Sequence, residues 1–240
     1  MLLKTVFLAM ANTRSVAAIA AGGLVAMAPL SALAETPRDM LTTAAFKTDD
    51  KAKALQLIGQ AIANADRALA ARPGDREAAL QRGVAIGYRG KLLHSRTDVK
   101  ASLDVFQRLQ AQNPRDPEVQ MAIAAWHLGA VDELGGFLAR TALGARKDQG
   151  LAAMTRAVDL GGNQAFYPGL AALLQIRSDH GSIAQSRKFA EAAATAQAAS
   201  PLDAILKRAA LAILPALRAN DGKAAAALAL KLLPFGRLTS

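Results

Sequence analysis

Three short stretches of the chain, PGDREAAL, NPRDPEVQ and SPLDAIL, repeat one design for starting a helix after a break. In the first, Asp75 is placed to accept backbone N–H bonds as N-cap, and Glu77 complements the positive end of the helix that follows. In the second, Asp116 caps, Pro117 takes the first helical position where a missing N–H costs nothing, and Glu118 follows. In the third, Ser200 and Asp203 have the spacing of a capping box. A chain that restarts helices in this way, with no segment alternating apolar and polar residues and few β-branched residues, folds as helices without sheet. Leu55, Ile58, Ile62, Ala65 and Leu69 recur at three and four residues and predict one such helix over Lys51–Ala71. With 52% apolar residues, 240 positions suffice for a core.

The helix pairs align on the residue that ends each second helix: Pro73, Pro114, Gly162 and Pro201. Twelve residues earlier stand Ala61, Ser102, Gly150 and Phe189. Eight earlier come Ala65, Phe106, Met154 and Ala193, and five earlier Ala68, Leu109, Ala157 and Ala196. Ten residues beyond the breaker lie Gly83, Ala124, Ala172 and Leu211. Apart from Phe189 and Leu211, these are small or packing residues where helices must approach closely. The arrangement resembles the tetratricopeptide repeat and covers nearly all of the chain after residue 50. The resemblance implies an all-α solenoid of about four to five stacked antiparallel helix hairpins that binds a partner rather than transforming a substrate. The breakers are 41, 48 and 39 residues apart, longer than a repeat of about 34. The first excess falls within GYRGKLLHSRTDVK, residues 87–100, and the second within GAVDELGGFLARTALGARKD, residues 129–148. Both are expected as enlarged turns, the first ended by Thr97 or Asp98 as cap.

The N-terminus reads differently. Lys4 and Arg14 are the only charges among residues 1–34, an apolar segment runs from Ser15 to about Leu33, and Ala32-Leu33-Ala34 supplies the small residues that signal peptidase requires. These features predict a secretory signal cleaved after Ala34 and residence in the periplasm of a two-membrane bacterium. A linker is expected over residues 35–50, with the helical-repeat domain over 51–240. From Glu35 onward the net charge is +8, which suits an envelope protein, peptide, acidic polymer or anionic lipid; export argues against nucleic acid. The chain has no cysteine, so thiol chemistry and cysteine-ligated metal are excluded.

Candidate ligand-binding residues are Tyr88, Arg89, Lys91, His94 and Arg96 in the first enlarged turn. Their charges and hydrogen-bonding rings match an acidic ligand, while Leu92 and Leu93 are expected to pin the turn to the core. Trp126 and His127 are candidates for a groove. His94, His127 and His180 fall in three different repeats with no i, i+4 partner, so no zinc pair, cofactor site or catalytic constellation is expected. An enzyme using His94 or His127 as acid–base is the alternative reading. The last helix, GKAAAALALKLL from Gly222, has few charges for a terminal element. It is expected to be covered either by the following PFGRLTS folding back or by a homodimer contact through Leu228 and Leu230.

Overall fold

A computed structural model describes residues 35–238; the expected signal segment lies outside them. Consecutive helices pack on one another: α1 (Pro37–Phe46) on α2 (Lys51–Ala71), α3 (Arg76–Leu93) on α4 (Arg96–Gln112), and α5 (Pro117–Leu134) on α7 (Lys147–Leu160). A short helix α6 (Gly136–Leu138) running into a π turn (Ala139–Leu143) separates α5 from α7. Two further pairs follow, α8 (Phe166–Ser178) with α9 (Ile183–Thr195) and α10 (Pro201–Arg218) with α11 (Gly222–Leu232). The described residues are therefore all-helical, and the only β-type pairing among them is a lone bridge between Gln164 and Gln197.

The helix starts follow the capping logic of the sequence. Asp75 and Asp116 accept the predicted backbone bonds, Pro117 opens α5, and Ser200 and Asp203 form a reciprocal capping box. The expected linker over 35–50 is corrected, because it contains α1. Thr36-Pro37-Arg38-Asp39 is itself a capping box with proline at the first helical position, and Leu41, Ala44 and Ala45 of α1 are buried. The main core runs from Leu80 to Ala229, with a second cluster built on α1, α2 and α3.

Of the positions aligned on the helix breakers, Ala61, Ser102, Gly150, Phe189, Ala65, Phe106, Met154, Ala193, Leu109, Ala157, Ala196, Gly83, Ala124 and Ala172 are all buried. Ala68 is half-buried, and Leu211, which departs from the pattern, is exposed while its neighbour Ala210 is fully buried. Equivalent turns touch: the Gln164–Gln197 bridge joins the turn after α7 to the turn after α9, and a Cβ on Gly222, at the start of α11, would lie 2.0 Å from the His180 carbonyl oxygen in the turn after α8.

The segment after α11 turns back, but onto α1 and α3 rather than over the last helix as expected. Phe235 is buried, its N–H donates to the Ala45 carbonyl at 2.8 Å, and its ring meets Tyr88 edge-on at 4.9 Å. The turn depends on Gly236, where a Cβ would sit 2.2 Å from the Leu230 carbonyl oxygen. This segment covers α1 and α3 and leaves Leu228 and Leu230 exposed.

Candidate interaction surfaces

The expected enlarged turn over residues 87–100 is corrected to a two-residue turn. The extra residues lengthen α3 through Leu93, His94 takes a left-handed C-cap conformation (φ 53°), and Ser95, rather than Thr97 or Asp98, caps α4 by accepting from the Asp98 N–H. The reason is that residues 87–93 continue the helical face: Gly90 packs on α4, where a Cβ would lie 2.9 Å from Val99, and Leu92 is buried with α1 and α2. Leu92 is therefore the anchor expected of it, but Leu93 points outward and is 52% exposed.

The five candidate residues of this stretch are divided by the fold. Tyr88 is turned inward against Phe235, and burial pushes its phenol up. Arg89 forms a bidentate pair with Asp98 at 2.7 and 2.8 Å, and this hydrogen bonding holds the Asp98 carboxyl below its ordinary range against a smaller opposing effect of burial. Lys91 lies 3.7 Å from Glu133 at the end of α5. His94 and Arg96 are exposed, and Arg96 has no carboxylate partner among the described residues. The local positive charge read from the sequence is thus largely used within the fold.

Trp126 and His127 do not line an open groove. Their relative exposures are 9% and 5%, the indole N–H donates to the Val99 carbonyl at 2.7 Å, and the two rings meet edge-on at 5.0 Å. His127 Nδ1 accepts from the Arg146 backbone N–H at 3.2 Å, which places the imidazole proton on Nε2. Burial lowers the His127 pKa, opposed by the charge of Asp148. These residues fasten α5 to α4 and to the start of α7.

The largest polar constellation was invisible to the sequence reading. It lies where the N-terminal ends of α1, α3 and α5 meet. Arg38 Nη2 donates to both Glu77 oxygens at 2.7 and 2.8 Å, and its Nη1 donates to Glu118. Arg76 grips Asp116 through Nε and Nη2 at 2.7 and 2.6 Å, and its Nη1 donates to Glu118 at 2.8 Å. Asp116 still caps α5, accepting from the N–H groups of Glu118 and Val119. Burial alone would raise the Glu118 pKa, but the hydrogen bonds and charges of Arg38 and Arg76 outweigh it and hold the carboxyl below its ordinary value. Separately, Asp203 of α10 ties to α8 by accepting from the Phe166 N–H at 2.9 Å. Glu77, Asp116 and Glu118 are each paired with guanidinium, so the ladder holds α1, α3 and α5 together. Its signal in the sequence was the recurrence of arginine and acid beside each cap, in TPRD, GDRE and RDPE.

At the opposite ends of these helices the pairing is sparse. Lys91–Glu133 and Arg177–Asp132 tie the ends of α3, α5 and α8. Beyond them the enlarged turn expected over residues 129–148 is corrected to a mostly helical stretch: 129–134 belong to α5 and 147–148 to α7, and between them α6 and the π turn are bounded by Gly135 (φ 75°, ψ 155°) and Gly144 (φ 77°, ψ 11°). The Gly135 conformation is essentially reserved for glycine. Residues 132–138 are exposed without interruption.

Comparison with family models, with curated proteins and with solved structures returned no match for this chain.

Proposed function

We propose that this is a helical-repeat binding or scaffold protein of the tetratricopeptide type, holding a protein, peptide or polymer of the cell envelope without chemical turnover. The observation that carries the reading is the burial of the small-residue seam at every repeat position except Ala68 and Leu211. Lateral contacts support it, since the N-terminal ends of α1, α3 and α5 share one ion-pair ladder while Lys91–Glu133 and Arg177–Asp132 join the other ends of α3, α5 and α8. Residence in the periplasm after removal of residues 1–34 belongs to the same reading and rests on Ala32-Leu33-Ala34 and the apolar run before it.

The test is affinity capture from an envelope extract on the immobilised chain, followed by identification and titration of the captured species. Saturable binding with the partner recovered chemically unchanged is the expected result; recovery of a modified partner overturns the scaffold reading. N-terminal sequencing of the exported protein is expected to begin at Glu35.

A further inference from the structure

The connection between α5 and α7 inverts the usual placement of apolar side chains. Its small residues are buried, with Ala139 at 0% and Ala145 at 1% exposure, and the Ala145 N–H donates to the Ala139 carbonyl at 3.0 Å. Its large ones project: Leu134 is 41% exposed, Leu138 56% and Phe137 79%. An alanine-anchored segment that presents phenylalanine and leucine to solvent withholds apolar area that ordinary folding would bury.

The neighbouring turn adds to this surface. Lys91 and Glu133 bring the ends of α3 and α5 together, and α4 packs against the π turn, so exposed Leu93 and Arg96 belong to the same edge. Arg96, Arg140 and Arg146 are exposed there and have no carboxylate partner among the described residues; the acids Asp132 and Glu133 are already paired with Arg177 and Lys91, which leaves Asp148 as an unpaired acid beside the three arginines. The edge is therefore apolar at its tip and cationic around it.

We infer that this edge docks on an anionic lipid surface, with Leu134, Phe137 and Leu138 entering the boundary between headgroups and acyl chains and the arginines meeting lipid phosphates. Two observations favour lipid over a protein groove. The apolar side chains sit in one uninterrupted exposed run, 132–138, and the unpaired charges beside it are three arginines against one carboxylate, Asp148, guanidinium being suited to bidentate phosphate contact. The chain's net charge of +8 from Glu35 onward favours the same encounter. No helix among the described residues is long and apolar enough to cross a membrane, so the attachment is peripheral. This inference goes beyond the scaffold reading and does not depend on it.

The experiment uses the chain from Glu35 onward, because the apolar residues 1–34 would themselves bind lipid. Residues 35–240 form a separate compact unit, and both core clusters are drawn from it. The protein is sedimented with vesicles of phosphatidylcholine mixed with phosphatidylglycerol. It is expected to pellet with them at low salt, less so at high salt, and little with phosphatidylcholine alone. A Phe137→Ser, Leu138→Ser double variant is expected to lose at least about tenfold in partitioning, given the apolar area withdrawn. Arg140→Gln and Arg146→Gln should each weaken binding roughly fivefold. A Phe137→Trp variant supplies a gain of signal, its added indole emission shifting to shorter wavelength on the mixed vesicles while buried Trp126 stays constant. The inference is overturned if wild type stays in the supernatant, if the serine variant partitions as well as wild type, or if Phe137→Trp emission is unmoved by vesicles. Light scattering that shows a dimer abolished by Phe137→Ser would assign the tip to a second copy and overturn it equally.

Discussion

The two ends of the helix stack treat charge in opposite ways. At the end where α1, α3 and α5 begin, Arg38, Arg76, Glu77, Asp116 and Glu118 satisfy one another in a continuous ladder, and Glu118 keeps only 18% of its side-chain surface. At the end where α3 and α5 finish, two lateral pairs are made and Arg96, Arg140 and Arg146 are left unpaired beside Leu93, Leu134, Phe137 and Leu138. Composition alone would describe both as charged. What separates them is whether the opposite charge is supplied by the same chain, and the end that lacks it is the end with surface free for something else.

The largest expected effect tests the seam that keeps both ends in register. Ala157 is fully buried between helices, and Ala157→Asp should cost about 3–5 kcal/mol or prevent folding, as an unpaired buried charge does. A urea transition unchanged by that substitution would show that the seam does not align the stack, and the contrast between its ends would lose its basis.

Next in size, Glu118→Gln should lower stability by about 2 kcal/mol, because it strips Arg38 and Arg76 of a shared carboxylate. The figure is below that of a fully buried pair, since Arg38 and Arg76 retain about a third of their surface in water. Equal stability of the variant in urea would break the claim that this end is structural.

His127 gives a smaller, pH-dependent effect. Its pKa is lowered in the folded protein, so the unfolded chain binds the proton more readily, and the associated stability is present above the ordinary histidine pKa of about 6.5 and lost as pH falls through the folded value. Glu118 loses stability in the same acidic direction, and its share should appear only at lower pH because its pKa is also depressed. His127→Gln should therefore flatten the fall of the denaturation midpoint just below about pH 6.5 and leave the steeper acid limb in place. A wild-type midpoint that does not fall as pH drops below that value overturns the assignment.

The smallest change is expected at the free end. Phe137→Ser with Leu138→Ser should alter stability by no more than about 0.5 kcal/mol per site, because neither side chain is buried. A loss comparable with that of Glu118→Gln would erase the distinction between the two ends.

Local signals made much of this arrangement legible. Asp75, Asp116 and the Ser200–Asp203 box marked helix starts because a cap is a contact over three residues, and the periodicity of Leu55 to Leu69 marked α2 to its end residues. The same capping box at Thr36–Asp39 was passed over because it follows a segment read as a cleavage site, and α1 was lost with it. Residues 87–100 were misread because an excess of residues over a repeat length says nothing about whether the extra turns are helical. Gly87 and Gly90 looked like breaks, yet they are the close-approach points of α3 on α4. The candidate residues Tyr88, Trp126 and His127 proved interior for a similar reason: an aromatic or imidazole ring announces chemistry and packing equally in one dimension. The ion-pair ladder required knowing which helices lie side by side, since its partners stand about 40 positions apart.

The contact of Phe235 with Ala45 and Tyr88 changes how such a stack can be assembled in time. In a simple repeat array every unit touches only its neighbours, so the first pair is complete as soon as the second has been made, and an end can fray without disturbing the rest. Here the apolar cluster of Leu41, Ala45, Ile58, Ala85 and Leu92 waits for Phe235, which follows far later in the sequence. During synthesis the first hairpin is left with an unfilled place until that residue has been made, and the arrival of Phe235 ties locally folding units far apart in sequence to one another.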